Sequence, residues 1–294
     1  MCWIHCWSVL VFSSFSPPMQ SMDSTMLKAL HRAAPRKRIF KLMKVALLVL
    51  VIVLIKLVAH AIGLEPIKAN PLFTSLVAST VFLLGFLLNG VLSDFKESEK
   101  LPSELATSLE VLSLEIRSIS VLSPGAVVAD CSATIVELGD SVVAWMMERI
   151  DVEALFFKVH QCHTVVTQAS LYLVGESTLK GRLMGEMATI IRIINRIDTI
   201  RETTFVPLVY WLAYLGTALL TGGLVLMKQE SLQDHLFFIA VISFLLIFLI
   251  RLIADIDNPF GYSDPDSAED ISLDVLVKSI SRLRAALDAP SVSG

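Results

Sequence analysis

Apolar positions along this chain fall into four unbroken spans, Val45 to Leu64, Pro71 to Leu92, Val206 to Met227 and Leu236 to Ala254. Each is about 20 residues long, and at 1.5 Å per residue such a helix crosses a hydrocarbon core of roughly 30 Å. Backbone groups in lipid must be satisfied within the segment, and nothing here alternates like a barrel strand, so the spans are helices. They pair into two hairpins, 44–92 and 206–254, joined by a polar stretch, 93–205, with a leader at 1–43 and a tail at 255–294. The predicted fold is an all-α, multi-pass membrane protein with four transmembrane helices in two hairpins and a helical bundle between them.

The middle stretch has the period of helices. Leu101, Leu105, Leu109, Leu112, Ile116 and Ile119 recur at three- and four-residue spacing. After a break at Ser123-Pro124-Gly125, helical patterns run from Ala126 to about Arg149 and from Val152 to Val174. A fourth carries Leu179, Leu183, Met187, Ile190, Ile194 and Ile197 on one side, with Arg182, Arg192 and Arg196 on or near the other. These read as amphipathic helices that bury one face against each other. An amphipathic segment also runs from Ile271 to Leu287.

Composition sharpens the membrane assignment: 54% of residues are hydrophobic and only 18% charged, with a mean hydropathy of +0.70. The net charge of −4 gives no reason to expect a nucleic acid partner, but its distribution is uneven. Lys28, Arg32, Arg36, Lys37, Arg38, Lys41 and Lys44 precede the first span with no acid between Ser24 and Leu64, whereas the hairpin connections carry Lys68 and Lys228 alone. The positive-inside rule places the amino terminus in the cytosol, or on the stromal or matrix side of an organelle membrane. Four spans return the middle stretch and the carboxyl terminus to that side. The leader reads as a transit segment, from its serines and early lack of acids, or as a disordered tail, or as the product of an early start codon.

Four cysteines build no disulfide framework, because Cys131 and Cys162 lie on the reducing side. His160, Cys162 and His163 cluster in sequence, yet on a helix position 162 points away from the other two, which favours a histidine pair over a zinc site. The chain has no phosphate loop, His-Glu-x-x-His pair or nucleophile elbow, so no enzyme is expected.

Ionisable groups inside a span are costly and usually face protein or water. Lys56 and His60 stand four residues apart on one face of the first span, where they would line a water-filled path attractive to anions. Asn89, beside Gly85 and Gly90, reads as a helix-packing polar group or as lining. Ala213, Thr217 and Thr221 form a small-residue stripe for close helix approach. Arg251 and Asp255 stand one turn apart and are expected to pair. After the last span, Asp257, Asp264, Asp266, Glu269 and Asp270 crowd with two prolines and a glycine. Such oxygen ligands on a bent chain suit calcium, although the spacing is not that of an EF-hand; a solvated acidic turn is the other reading.

The run Asp257-Asn258-Pro259-Phe260-Gly261-Tyr262, with the acids and amphipathic segment that follow, resembles the stretch after the last membrane helix in bestrophins and bestrophin-like anion channels. Two hairpins, a helical middle and both termini inside are similar to that family's plan. The resemblance implies a calcium-sensing clasp using Asp257, Asp264, Asp266, Glu269 and Asp270. It also implies a homo-pentamer whose pore is lined by the second membrane helix, here Ser79 to Asn89, including Ser79, Phe82, Phe86 and Asn89. Lys56 and His60 would then enrich small anions such as chloride. One departure follows the second span, where Leu92-Ser93-Asp94-Phe95-Lys96-Glu97 stands in place of the family's arginine and aromatic residues. The alternative function is a non-conducting scaffold in which Asn258-Pro259-Phe260 binds an adaptor protein.

Overall fold

The computed structural model describes residues 24–68, 70–122, 128–173, 175–202, 207–262 and 270–288, and the described side chains of the first helix begin at Lys37. Nearly all of this is helix. In chain order the elements are α1 (Ser24–Ala61), β1 (Ile67–Lys68), α2 (Pro71–Ser98), α3 (Leu101–Leu122), α4 (Val128–Met146), α5 (Val152–Ser170), α6 (Ser177–Glu202), α7 (Pro207–Leu226), β2 (Met227–Lys228), α8 (Leu232–Ile256) and α9 (Asp274–Asp288).

Local chemistry sets several of these boundaries. Asn70 caps α2 by accepting from the Phe73 amide at 2.8 Å, and Pro71 fills the first helical position, where its missing N–H costs nothing. Asp151 caps α5 in the same way, accepting from Ala154 N at 2.8 Å. α4 stops where Glu148 takes a left-handed φ of 56°, and the Arg149 amide turns back to Ala144 O at 2.9 Å.

Among the described residues four helices are long and apolar enough to cross a membrane, α1, α2, α7 and α8, and this is an integral membrane protein of the all-α class. Their mutual contact is a narrow seam. Leu84, Leu87 and Val91 of α2 meet Ala213, Leu220 and Leu224 of α7 and Ile239, Leu246 and Ile250 of α8. α1 lies against α7 and α8 and buries Val45, Val49 and Ala59. The small-residue stripe of α7 is part of this seam, since Ala213 and Thr217 are buried.

At one end of the seam the two hairpin connections are tied together. β1 and β2 form a parallel two-residue bridge that pairs Ile67 with Met227 and Lys68 with Lys228. So short a bridge leaves no alternation in the sequence, which is why none was expected.

At the other end hangs the bundle of α3 to α6 with α9. α3 is its centre, packed on α4, α6 and α9, with Leu105, Leu109, Leu112, Ile116 and Ile119 fully buried among Leu183, Met187, Ile190 and Ile194 of α6. Gly139 lets α9 approach α4: a Cβ there would stand 2.8 Å from Ile280 Cγ1. Ser279 of α9 donates to Ala106 O of α3 at 3.3 Å.

Candidate functional site: one face of the second membrane helix and the polar groups at its ends

α2 divides cleanly into two faces. Thr80, Leu84, Leu87 and Val91 point into the seam and are buried. On the opposite side of the helical turn lie Ser79, Phe82, Phe86 and Asn89, which share one face by their spacing of three and four and are all exposed. Phe82 is 77% and Phe86 65% exposed. Two phenylalanines bracketed by Ser79, whose hydroxyl donates back to Ser75 O at 2.8 Å, and by Asn89 leave an exposed apolar surface for a partner chain, lipid or water. The helix does not end at Leu92. It runs to Ser98, and Arg196 of α6 donates through Nε and Nη2 to Glu97 with both distances 2.9 Å, which ties its far end to the bundle. This ion pair occupies the stretch that departs from the bestrophin pattern.

Lys56 is almost fully buried, at 1% exposed. Its ammonium donates to Glu65 Oε1 at 2.7 Å, to Val225 O at 3.1 Å and to Met227 O at 2.6 Å. The Val225 carbonyl belongs to the last turn of α7 and the Met227 carbonyl to β2 directly after it, where backbone acceptors are left over at the helix end and a cation is favoured. Lys56 thus clamps α1, the first hairpin connection and α7 beside the β1–β2 bridge. Within this chain the ammonium faces these three oxygens rather than open solvent. His60 shares the carboxylate, with Nδ1 at 3.0 Å from Glu65 Oε1, and remains exposed. The hydrogen bond from Lys56, with His60 beside it, holds the Glu65 carboxyl below its usual range. On α8 the neighbouring His235, also buried, lies 2.9 Å from Leu224 O and 3.0 Å from Gln229 Oε1. Sequence pattern singled out Lys56 and His60 but missed Glu65, whose role depends on a turn that brings it back over the helix.

The expected Arg251–Asp255 pair is replaced by a longer link, in which Lys41 of α1 donates to Asp255 at 2.5 Å. The carboxylate turns toward the neighbouring helix because α1 and α8 run side by side there.

Beyond α8 the chain turns back onto the bundle. Phe260 is 1% exposed and packs in the bundle core with Ile271, Leu273 and Leu276. An adaptor cannot read Asn258-Pro259-Phe260 while its phenylalanine is inside, so the motif's recognition role is corrected to a structural one. Gly261 lets this turn close tightly, as a Cβ would stand 2.8 Å from Asn258 Nδ2 and 3.3 Å from its carbonyl oxygen and would push the Asn258 side chain aside. Tyr262 donates to Ile271 O at 2.8 Å and closes the turn; burial pushes its phenol far above the ordinary range. Asp257, at the carboxyl cap of α8, lines a cavity of about 270 Å³ with Asp94, Ser98 and Arg196.

Asp264, Asp266 and Glu269 lie outside the described residues. Among the described residues, which include Asp257 and Asp270, no three acidic, histidine or cysteine side chains gather as a metal site. The His160–Cys162–His163 cluster is split as the helical spacing requires, with Cys162 buried and both histidines exposed. Burial pushes the Cys162 thiol up to about 12 and raises that of Cys131, so neither is a reactive thiol.

No protein-family model matches the chain, and no curated protein sequence matches it. The fold does have counterparts among solved structures. A crystal structure of a variant of a bacterial bestrophin homologue from Klebsiella pneumoniae superposes with a TM-score of 0.64 at 16% identity, covering 85% of this chain and 98% of that one. A second variant of the same homologue gives 0.65 at 15% identity, over 85% and 97%. A third structure of that homologue gives 0.60 at 16% identity with the same coverage, 85% and 97%. The architecture is that of a four-span, all-α membrane protein with a helical bundle. More particularly, it is a divergent bestrophin-like fold.

Proposed function

We propose that this protein assembles as a homo-oligomer, a pentamer on the bestrophin plan, and passes small anions such as chloride along the outward face of α2. The observation that carries the reading is that face: Ser79, Phe82, Phe86 and Asn89 share the side of α2 opposite its buried residues, and all four are exposed. Brought around a symmetry axis, the two phenylalanines would make an apolar constriction, which gates by excluding water, with polar residues above and below it. The face carries no acid to repel an anion. His60, exposed beside its buried partners, would place a polar group at the hairpin end of the membrane half, and Lys56 contributes by holding that end together.

On this reading the amino terminus, the bundle and the tail share the cytosolic, stromal or matrix side. Calcium modulation would rest on Asp257 and Asp270 together with Asp264, Asp266 and Glu269, which lie outside the described residues.

The full chain reconstituted in liposomes loaded with a halide-sensitive dye tests the proposal. Chloride-dependent quenching that rises when Phe82 and Phe86 are replaced by Ala supports it. No halide flux from folded oligomer, with or without calcium, overturns it in favour of a non-conducting scaffold.

A further inference from the structure

α1 is longer than a bilayer needs. From Lys41 to Ala61 it rises about 30 Å, enough for the hydrocarbon core, and it continues upstream to Ser24 without a break. The level of Lys41 is therefore one edge of the membrane half. The link from Lys41 to Asp255 puts the last turns of α8 at the same level.

Cations gather at this edge. Lys37 and Arg38 lie one turn above Lys41, and the Lys44 ammonium reaches back to the same height, standing 4.8 Å over the Phe40 ring. Arg251 of α8 is exposed one turn below Asp255. Five cations thus stand on two adjacent helices near the level of Asp255, which accepts from Lys41. The sequence places Lys28, Arg32 and Arg36 on the preceding turns of α1 with no acid among them. Between the cations Ile39, Phe40, Leu42 and Met43 are all exposed. Apolar side chains and cations at one depth are the makings of a headgroup-level surface, with stems in the acyl boundary and charges at the phosphates.

We infer that the α1–α8 edge formed by Lys37, Arg38, Lys41, Lys44 and Arg251 is a docking surface for anionic lipid headgroups of the leaflet on the bundle side. Charge complementarity selects the partner, and continuity of α1 with its membrane span sets the depth. The surface is independent of conduction, so its test does not read flux.

Full-length protein in phosphatidylcholine vesicles, with trace spin-labelled phosphatidylserine or phosphatidylcholine, reports the preference directly. Phosphatidylserine is expected to associate more strongly and to lose that preference as salt is raised. The K37Q/R38Q/K44Q/R251Q variant should lower it by roughly fivefold for each charge removed. K37R/K44R/R251K should keep it, and so should K68Q/K228Q, which neutralises the opposite edge. Equal association of the two lipids with the native chain, a preference insensitive to salt, or a loss caused by K68Q/K228Q instead would overturn the inference. The salt titration uses the native chain alone, so it decides the matter even where a charge-removing variant fails to fold.

Discussion

The membrane half and the bundle are both built of helices with apolar stripes, yet they place their large apolar side chains in opposite ways. In the bundle Leu105, Leu109, Leu112 and Ile116 are fully buried, while in the membrane half Leu47, Leu54, Leu215 and Trp211 stand half or more exposed on the outer surface. The difference is one of solvent. Water drives the bundle's leucines inward, whereas lipid is as apolar as leucine and leaves helix association to close packing and to a few polar clamps. The bundle should therefore depend on volume, and the membrane half on Lys56.

The largest effect is expected at the seam between tail and bundle. Phe260→Ala should destabilise the bundle by about 4 kcal/mol, the range for a fully buried aromatic, measured by unfolding in mixed micelles. An unchanged stability would mean that the turn is not packed as described. Leu112→Ala should follow at about 3 kcal/mol. Lys56→Met removes the clamp while leaving the Val225 and Met227 carbonyls without their donor, and should cost about 2 kcal/mol, somewhat less than a broken buried ion pair because Met fills the space.

The same clamp predicts a pH response. Glu65 has a folded pKa below its ordinary 4.5, so its contribution is fully present above that value and fades as pH falls through the lower folded value. The acid-side loss should be smaller in Lys56→Met than in the native chain, and an identical profile would separate Glu65 from Lys56. At the bottom of the scale, Leu54→Ala, on the outer surface, should change stability by less than about 0.5 kcal/mol.

Much of this contrast was legible in the pattern of residues. A continuous apolar run and a 3.6-residue period are local signals, so the four spans and the core face of α3 could be read directly. The ends were less legible: α2 continues past its apolar run because Asp94 to Ser98 extend the helix toward the bundle, and Glu97 finds Arg196 from a distant helix. Contacts set by chain reversal left no local mark. Glu65 over Lys56, Lys41 on Asp255 and Phe260 inside the bundle each depend on residues brought back by a turn. Phe260 illustrates the cost of reading a short motif by itself, since a tripeptide has no indication of which side chain the fold will bury.

The outward face of α2 is the claim on which the functional reading depends, and single cysteines test it most directly. In a background lacking Cys2, Cys6, Cys131 and Cys162, cysteine would be placed in turn at Ser79, Phe82, Phe86 and Asn89, and at Thr80, Leu84, Leu87 and Val91. Each protein would be treated in liposomes with a charged, membrane-impermeant thiol reagent. The account predicts labelling at the first four positions and protection at the second four. Labelling of positions 82 and 86 only by a lipid-soluble reagent would make that face a lipid-facing surface and contradict the pore.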